Sequence, residues 1–196
     1  MSDTNASVVG IYGSSRKGGN TDTLLDAALS SAESAGANVQ RIYIRDLDFL
    51  PCQNCGACAK TGVCRIKDDM VGVYEALDTS DVILLAAPIY FCSISAQAKA
   101  MIDRCQSYWS RRKYMLKLEP PGRGVRGGFI TCCGFEDDRF LRCTEQVVKT
   151  WFHVMDVGYA GCLCKTGLDA RNDAANDPTA TKDAAEFGKM AVQGSE

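Results

Sequence analysis

Four of the eleven cysteines in this sequence lie in one short segment, at the spacing C-x2-C-x2-C-x5-C. They are Cys52, Cys55, Cys58 and Cys64. Thiolates are metal ligands, and three cysteines separated by two residues each are typical of iron–sulfur ligation in bacterial ferredoxins. The glycines at positions 56 and 62 allow the chain to turn tightly between these ligands. The spacing therefore favours a [4Fe–4S] cluster held by one loop.

Two other interpretations of the same cysteines remain open at this point. They could stay free, or act as dithiols without a metal, because an odd cysteine count without a secretion signal argues against a disulfide framework. They could also bind structural zinc, although zinc sites made of four cysteines usually pair two short C-x2–4-C hairpins on separate turns. The content of iron, sulfide and zinc distinguishes the three interpretations.

A second candidate site is the segment 13–21, which reads G-S-S-R-K-G-G-N-T. It follows an apolar stretch, residues 7–12, and precedes a helical pattern with Leu24, Leu25 and Leu29 on one face. A helix start after a strand presents unpaired N–H groups and a partial positive charge, so it suits an anion such as a phosphate. The segment matches neither the nucleoside triphosphate loop nor the classical dinucleotide fingerprint. We therefore expect a phosphate monoester here, with an ordinary Ser/Gly turn as the alternative.

The elements around these segments alternate between strands and helices, which predicts an α/β fold with a parallel sheet. Residues 82–87 are apolar throughout, as in a central strand covered on both faces. Strands are predicted over 7–12, 39–44, 81–87, 129–131 and 157–161. Helices are predicted from 20 or 21 to about 36, then over 70–77, 96–109, 140–155 and 179–192.

Composition excludes several classes of function. The 22 Lys and Arg residues nearly balance the 24 Asp and Glu residues, and a net charge of −2 provides no basic surface for nucleic acid. The longest apolar run, residues 82–92, is interrupted by Pro88 and is too short to span a bilayer. No basic residue precedes an apolar stretch at the start, so we expect no signal peptide, no membrane attachment and a cytoplasmic location.

Three segments of the sequence together resemble the NAD(P)H-dependent FMN reductase group of flavodoxin-like proteins. They are the loop S-S-R-K-G-G-N-T, the long run P-I-Y-F-C-S-I-S-A-Q-A-K-A-M-I-D-R at 88–104, and T-C-C-G at 131–134. The resemblance implies one flavodoxin-like FMN-binding domain over 1–196, with a Cys-rich loop at 51–70 and a short variable C-terminal tail. It also implies a three-layer sandwich around a five-stranded parallel sheet in the order 2-1-3-4-5.

The resemblance further implies where FMN binds. The phosphate is expected on Ser14, Arg16, Asn20 and Thr21. The ring is expected against Pro88, Ile89, Tyr90 and Phe91, with Thr131 and Gly134 on its far side. No catalytic side chain is needed, because the flavin itself carries the redox chemistry.

Within this group, residues 51–70 resemble the iron–sulfur flavoproteins, whose compact motif is C-x2-C-x2-C-x4–7-C. The last cysteine of that motif, Cys64 here, also begins the group's segment C-x-I-K-D-D-M. The expected protein is thus a flavin-dependent oxidoreductase that relays electrons between a [4Fe–4S] cluster and FMN. The alternatives are a cluster-free NAD(P)H-dependent FMN or quinone reductase and a flavodoxin-type electron carrier. The expected partner is a small-molecule or protein redox partner, with NAD(P)H as a candidate donor.

The remaining cysteines and the exposed aromatic residues give weaker expectations. Five cysteines fall at predicted carboxyl ends of strands, namely Cys92, Cys132, Cys133, Cys162 and Cys164. Cys105 and Cys143 fall in helices and are expected in the core. The family resemblance implies a homodimer or homotetramer. Tyr108, Trp109 and Tyr114 lie beside arginines, a combination typical of interface anchors, and support the same expectation.

Overall fold

A central sheet of five parallel strands organises the fold. The computed structural model describes residues 5–116, 124–135 and 139–193. The strands are β1 (Ser7–Tyr12), β2 (Asn38–Tyr43), β3 (Val82–Ala86), β4 (Ile89–Tyr90), β5 (Ser93–Ile94), β6 (Arg126–Cys133) and β7 (Gly158–Thr166). The sheet has the order β2-β1-β3-β6-β7, and a separate antiparallel hairpin is formed by β4 and β5. With the hairpin counted apart, this is the predicted order 2-1-3-4-5, so the predicted three-layer fold is confirmed.

Helices cover both faces of this sheet. They are α1 (Asn20–Ser34), α2 (Cys58–Thr61), α3 (Met70–Thr79), α4 (Ala96–Arg104), α5 (Gln106–Ser110), α6 (Arg139–Val154), α7 (Asp173–Asn176) and α8 (Pro178–Gln193). A 3-10 turn spans Ile44–Asp46, and a π-helical turn spans Arg111–Leu116. The C-terminal tail beyond residue 193 lies outside the described residues.

Two apolar cores form, one on each face of the sheet. The central strand β3 lies between them and is buried along its whole length. One core joins the sheet to α3, α4 and α6, and the other joins it to α1 and α8. The approach of α1 and α8 is close: a Cβ added at Gly188 would lie 2.1 Å from the carbonyl oxygen of Ala28. Glycine at this position therefore sets the spacing between the two helices.

The predicted helix over 96–109 is wrong in one respect, because the structure divides it into α4 and α5. Cys105, between them, has ψ of 5°, which is not helical, and its buried side chain anchors the bend in the core. The bend turns α5 toward the Cys-rich loop. Sequence periodicity continues through such a bend and does not signal it.

Two weaker expectations also need correction. Cys143, expected in the core, is exposed. Tyr108, expected as an interface anchor, is 7% exposed and packs in the core, with its ring 6.1 Å from that of Tyr74. Of the three aromatic residues, Tyr114 remains the exposed one. Within the described ranges, no helix is long and apolar enough to cross a membrane.

Candidate functional site

The loop between β1 and α1 has a backbone path that requires glycine at its first position. The Gly13 N–H donates to the carbonyl of Ala86 at 2.7 Å. A Cβ at Gly13 would lie 2.9 Å from that oxygen and 3.0 Å from the Cβ of Ala98. The buried Ser95 hydroxyl donates to the Gly13 carbonyl and also accepts from the N–H of Ala98 at the start of α4. The loop is thus attached to β3 and to α4.

The loop leads directly into α1, whose first turn receives no hydrogen bond from a capping side chain. Gly19 is the N-cap residue, so the first N–H groups of the helix are open to an external acceptor. Ser14 is buried, and its Oγ accepts from the N–H of Arg16 at 3.1 Å. Arg16 itself is exposed, with its guanidinium available at the rim. Together these groups form a cradle suited to an anion.

The Asn20 side chain was expected to bind the phosphate, but it binds backbone groups of the segment after β7. Its Nδ2 donates to the carbonyl of Ala170 at 2.8 Å, and its Oδ1 accepts from the N–H of Ala174 at 3.1 Å. The amide therefore fastens the segment after β7 against the start of α1. Its backbone N–H remains one of the open groups of the first helical turn.

A buried ion pair lies under the loop. The Asp22 Oδ2 accepts from the N–H of Gly18 at 3.0 Å and from the Nη1 of Arg45 at 2.9 Å. The same Nη1 lies 3.2 Å from the carbonyl of Ser14. Burial raises the pKa of Asp22, while the bonds from Gly18 and Arg45 act in the opposite direction. Arg45 and Asp22 thus hold both ends of the loop from beneath.

The carboxyl edge of the sheet carries a pocket of about 150 Å³ between this loop and three others. Eight of the ten predicted flavin residues line it: Ser14, Arg16, Asn20, Thr21, Pro88, Ile89, Tyr90 and Gly134. Five further lining residues were not predicted: Gly19, Cys132, Cys133, Leu168 and Asp169. The pocket gathers residues that follow strands β1, β3, β6 and β7, as expected where parallel strands end at one edge.

The two other predicted residues, Phe91 and Thr131, lie outside the lining of this pocket. Phe91 and Cys92 form the turn of the β4–β5 hairpin, with φ of 48° and 61°. Two successive positive φ values are typical of a type I′ turn, and Phe91 is fully exposed at its tip. Thr131 is fully buried, and its Oγ1 donates to the carbonyl of Ala87 at 2.7 Å. Thr131 thus holds the backbone just before Pro88.

The thiols of Cys132 and Cys164, near the carboxyl edge of the sheet, are protonated at neutral pH. Burial raises the pKa of Cys132 to about 12 and the pKa of Cys164 to about 11, with neighbouring thiols adding to both shifts. The thiolate is the nucleophile and the metal ligand. The Cys132 thiol therefore acts as a small apolar group of the pocket wall. The available signal for Cys132 and Cys133 was their place at the end of a strand.

The four cysteines of the Cys-rich loop line a second cavity, of about 200 Å³. Arg104 and α5 close its inner side, where Ser107 and Ser110 are buried. Asn54, Gly56 and Gly62 have positive φ angles, in the left-handed region, and let the loop turn around the cavity. In the described part of the chain, no three His, Cys, Asp or Glu side chains converge as around a single metal ion. A [4Fe–4S] cluster requires a wider arrangement, because each thiolate binds a different iron.

Arg104 clamps both ends of the Cys-rich loop. Its side chain is fully buried, and its Nη1 lies 2.6 Å from the Leu50 carbonyl and 2.6 Å from Asp68 Oδ2. Its Nη2 lies 2.9 Å from Asp68 Oδ1 and 3.4 Å from the Ile66 carbonyl. Leu50 precedes the first cysteine, and Ile66 follows the last. The Arg104 Nε, buried beside the cavity, has no hydrogen-bond partner among the residues that the structure describes. The sequence motifs contain Arg104 and Asp68 but do not show this role.

Burial acts to raise the pKa of Asp68, but the bonds from Arg104 and from the N–H groups of Leu50 and Met70 outweigh it. The net result is a lowered pKa. Asp68 is therefore ionised at neutral pH, and the guanidinium it faces is neutralised within the protein. The pair is the electrostatic basis of the clamp.

Comparisons with known proteins show which family this chain resembles in sequence and which solved structures share its fold. The family described as NADPH-dependent FMN reductase matches residues 6–157. An iron-sulfur flavoprotein of Methanosarcina thermophila is 32% identical over 182 residues, which cover 93% of this chain and 91% of that protein. One from Archaeoglobus fulgidus is 34% identical over 154 residues, covering 78% of this chain and 66% of the relative, just under two thirds of its length. The solved NAD(P)H:quinone oxidoreductase from Methanothermobacter marburgensis has a TM-score of 0.73 at 11% identity, covering 98% of this chain and 99% of that one. The last likeness shows the fold.

Proposed function

The chain belongs to the NADPH-dependent FMN reductase family and is an FMN-dependent oxidoreductase; from this premise we propose that it relays electrons between FMN and a [4Fe–4S] cluster. One observation carries the proposal: the four cysteines of the Cys-rich loop line a single cavity. The iron-sulfur flavoproteins that match most of the chain support it. The domain over 1–196 would then hold two redox sites, one after β1 and one after β2.

The pocket at the sheet edge fits FMN. The open N–H groups at the start of α1 and the exposed Arg16 border the same pocket, which Gly13 lets the chain approach closely. These groups would hold the phosphate together with Ser14 and Thr21. Asn20 would contribute its backbone N–H, since its side chain fastens the segment after β7.

The flavin ring would lie against the Pro88 loop on one side and the turn after β6 on the other. Pro88, Ile89 and Tyr90 supply the first wall, and Gly134 is part of the second. Phe91 would extend the wall outward from the hairpin tip, while Thr131 would position Pro88 through the Ala87 carbonyl. Bound FMN supplies the redox chemistry, and these residues orient it and limit its access to water.

The second cavity fits a cluster for two reasons beyond the cysteine spacing. Cys52, Cys55, Cys58 and Cys64 all line it. Arg104 lines its inner side, and the buried Arg104 Nε has no hydrogen-bond partner among the described residues, so this N–H could donate to a cluster bound there. A cluster transfers single electrons, whereas a nicotinamide donor transfers a hydride. The proposed protein therefore connects a two-electron donor such as NAD(P)H with a one-electron partner, either a small molecule or a protein.

The test is metal and flavin analysis of protein purified without oxygen. We expect close to four irons and four sulfides for each FMN. In the Cys58→Ser variant, iron should be lost while FMN stays bound, because the flavin pocket shares no lining residue with the cluster cavity. Wild-type protein with FMN but without iron would instead favour the cluster-free NAD(P)H-dependent FMN or quinone reductase. If NAD(P)H also failed to reduce the flavin, a flavodoxin-type carrier would be favoured.

We also propose that the chain forms a homodimer or homotetramer. Phe91 is fully exposed at the hairpin tip, and the exposed fraction of Tyr114 is 51%. Aromatic residues are enriched at interface centres, and Tyr114 closely follows Arg111 and Arg112 in the chain. Sedimentation equilibrium at micromolar concentration should give at least twice the monomer mass, and a monomer throughout would contradict the proposal.

A further inference from the structure

The cluster cavity contains a polar contact that anchoring of the loop does not require. The Ser110 Oγ lies 3.2 Å from the Sγ of Cys58. Ser110 is the last residue of α5 and is 3% exposed, so the wall of the cavity fixes its position. Cys58 is the first residue of the short helix α2. The contact thus joins the proposed cluster loop to a separate element of the fold.

The direction of this hydrogen bond follows from the chemistry of a ligating cysteine. A cysteine bound to iron is a thiolate, which has no proton to donate. The Ser110 hydroxyl must then be the donor, and a hydrogen bond to an ionised acceptor is stronger than one between neutral groups. Because Ser110 is buried in the cavity wall, its hydroxyl is held next to this sulfur.

We propose that Ser110 raises the reduction potential of the cluster by donating a hydrogen bond to the Cys58 thiolate. Reduction adds an electron to a cluster that is already negative, so the sulfur becomes a better acceptor. The hydrogen bond therefore stabilises the reduced form more than the oxidised form, as hydrogen bonds to cluster sulfurs generally do. This inference rests on the proposed cluster at Cys52, Cys55, Cys58 and Cys64. Ser110 acts here as a positioning residue that tunes one ligand.

The experiment compares two serines of the same helix. Ser107 also lines the cavity and is 4% exposed, but the structure gives its hydroxyl no contact with a cysteine of the described residues. The variants Ser110→Ala and Ser107→Ala therefore remove equal volumes from one wall. Each is purified anaerobically, its iron, sulfide and FMN are measured, and the cluster midpoint potential is determined by a redox titration monitored by electron paramagnetic resonance.

We expect all three proteins to carry the same iron and FMN, with the midpoint potential lowered in Ser110→Ala alone. An unchanged potential in an iron-loaded Ser110→Ala protein would overturn the inference and leave the cluster in place. Equal shifts in both variants would also overturn it, because they would indicate a general change in the cavity. Loss of iron from Ser110→Ala alone would overturn it too, by showing a role in assembly instead. Absence of iron from the wild-type protein would refute the cluster itself, and with it this inference.

Discussion

Replacing Asp68 with asparagine tests whether the ion pair between Arg104 and Asp68 stabilises the Cys-rich loop. Asp68 accepts two bonds from Arg104, at 2.6 and 2.9 Å, and the two side chains are 12% and 0% exposed. Removing one partner of a buried pair costs about 3–5 kcal/mol, because the other charge is left in the interior. An asparagine oxygen can still accept one bond, so we expect a loss of about 3 kcal/mol in the free energy of unfolding.

For a domain of this size, each kcal/mol at the midpoint corresponds to roughly 2–4 °C, so the melting temperature should fall by about 6–12 °C. Circular dichroism of the FMN-saturated proteins measures the change. Asp103→Asn is the matched control, because its partner Lys99 lies at 2.6 Å but both side chains are more than 40% exposed. That exposed pair should contribute about 1 kcal/mol at most. Equal melting temperatures for Asp68→Asn and the wild type would refute a charge-based clamp.

Three further predictions concern the loops and the pocket wall. Arg16→Ala should weaken FMN binding by roughly ten- to a hundred-fold, the equivalent of one charged hydrogen bond of about 1.5–3 kcal/mol, and quenching of flavin fluorescence measures it. At neutral pH, iodoacetamide should label the exposed Cys52 of iron-free protein and leave Cys132 unlabelled, because burial raises the pKa of Cys132 to about 12. Peptide mass spectrometry measures the labelling, and a labelled Cys132 beside an unlabelled Cys52 would contradict the prediction. The pKa of Asp68 is lowered by folding, so its contribution to stability is present above its unfolded pKa of about 3.9 and is lost as the pH falls through the folded value. Urea titrations should therefore show that the difference between wild type and Asp68→Asn shrinks below about pH 4.

The sequence predicted the sheet and the meeting of the candidate loops at its edge because those features depend on local patterns. An apolar run such as residues 82–87 indicates a buried central strand, and parallel strands bring their carboxyl ends to one edge. Consequently the loops at 13–19 and 88–90 had to meet, although some seventy residues separate them. The structure places both in one pocket.

What the sequence could not predict depends on contacts between distant residues. Nothing local distinguishes an asparagine that binds an anion from one that fastens another loop, as Asn20 does with Ala170 and Ala174. The bend at Cys105 likewise has no local sequence signal, since helical periodicity continues on both sides of it. It nevertheless determines which face of α5 meets the Cys-rich loop, and therefore where Ser110 lies.

Both proposed cofactor loops rest on a buried arginine–aspartate pair, and the chemistry of their ligands explains why. A loop that binds a phosphate must keep its N–H groups free, and a loop that binds iron must keep its thiolates free, so neither can use these groups to hold its own shape. Arg45 with Asp22 holds the first loop through the Ser14 carbonyl and the Gly18 N–H. Arg104 with Asp68 holds the second through carbonyls and N–H groups outside the cysteine motif. In each case the guanidinium binds backbone oxygens while the carboxylate balances its charge. Each loop is therefore ordered before its cofactor binds, and the entropy lost on binding is reduced.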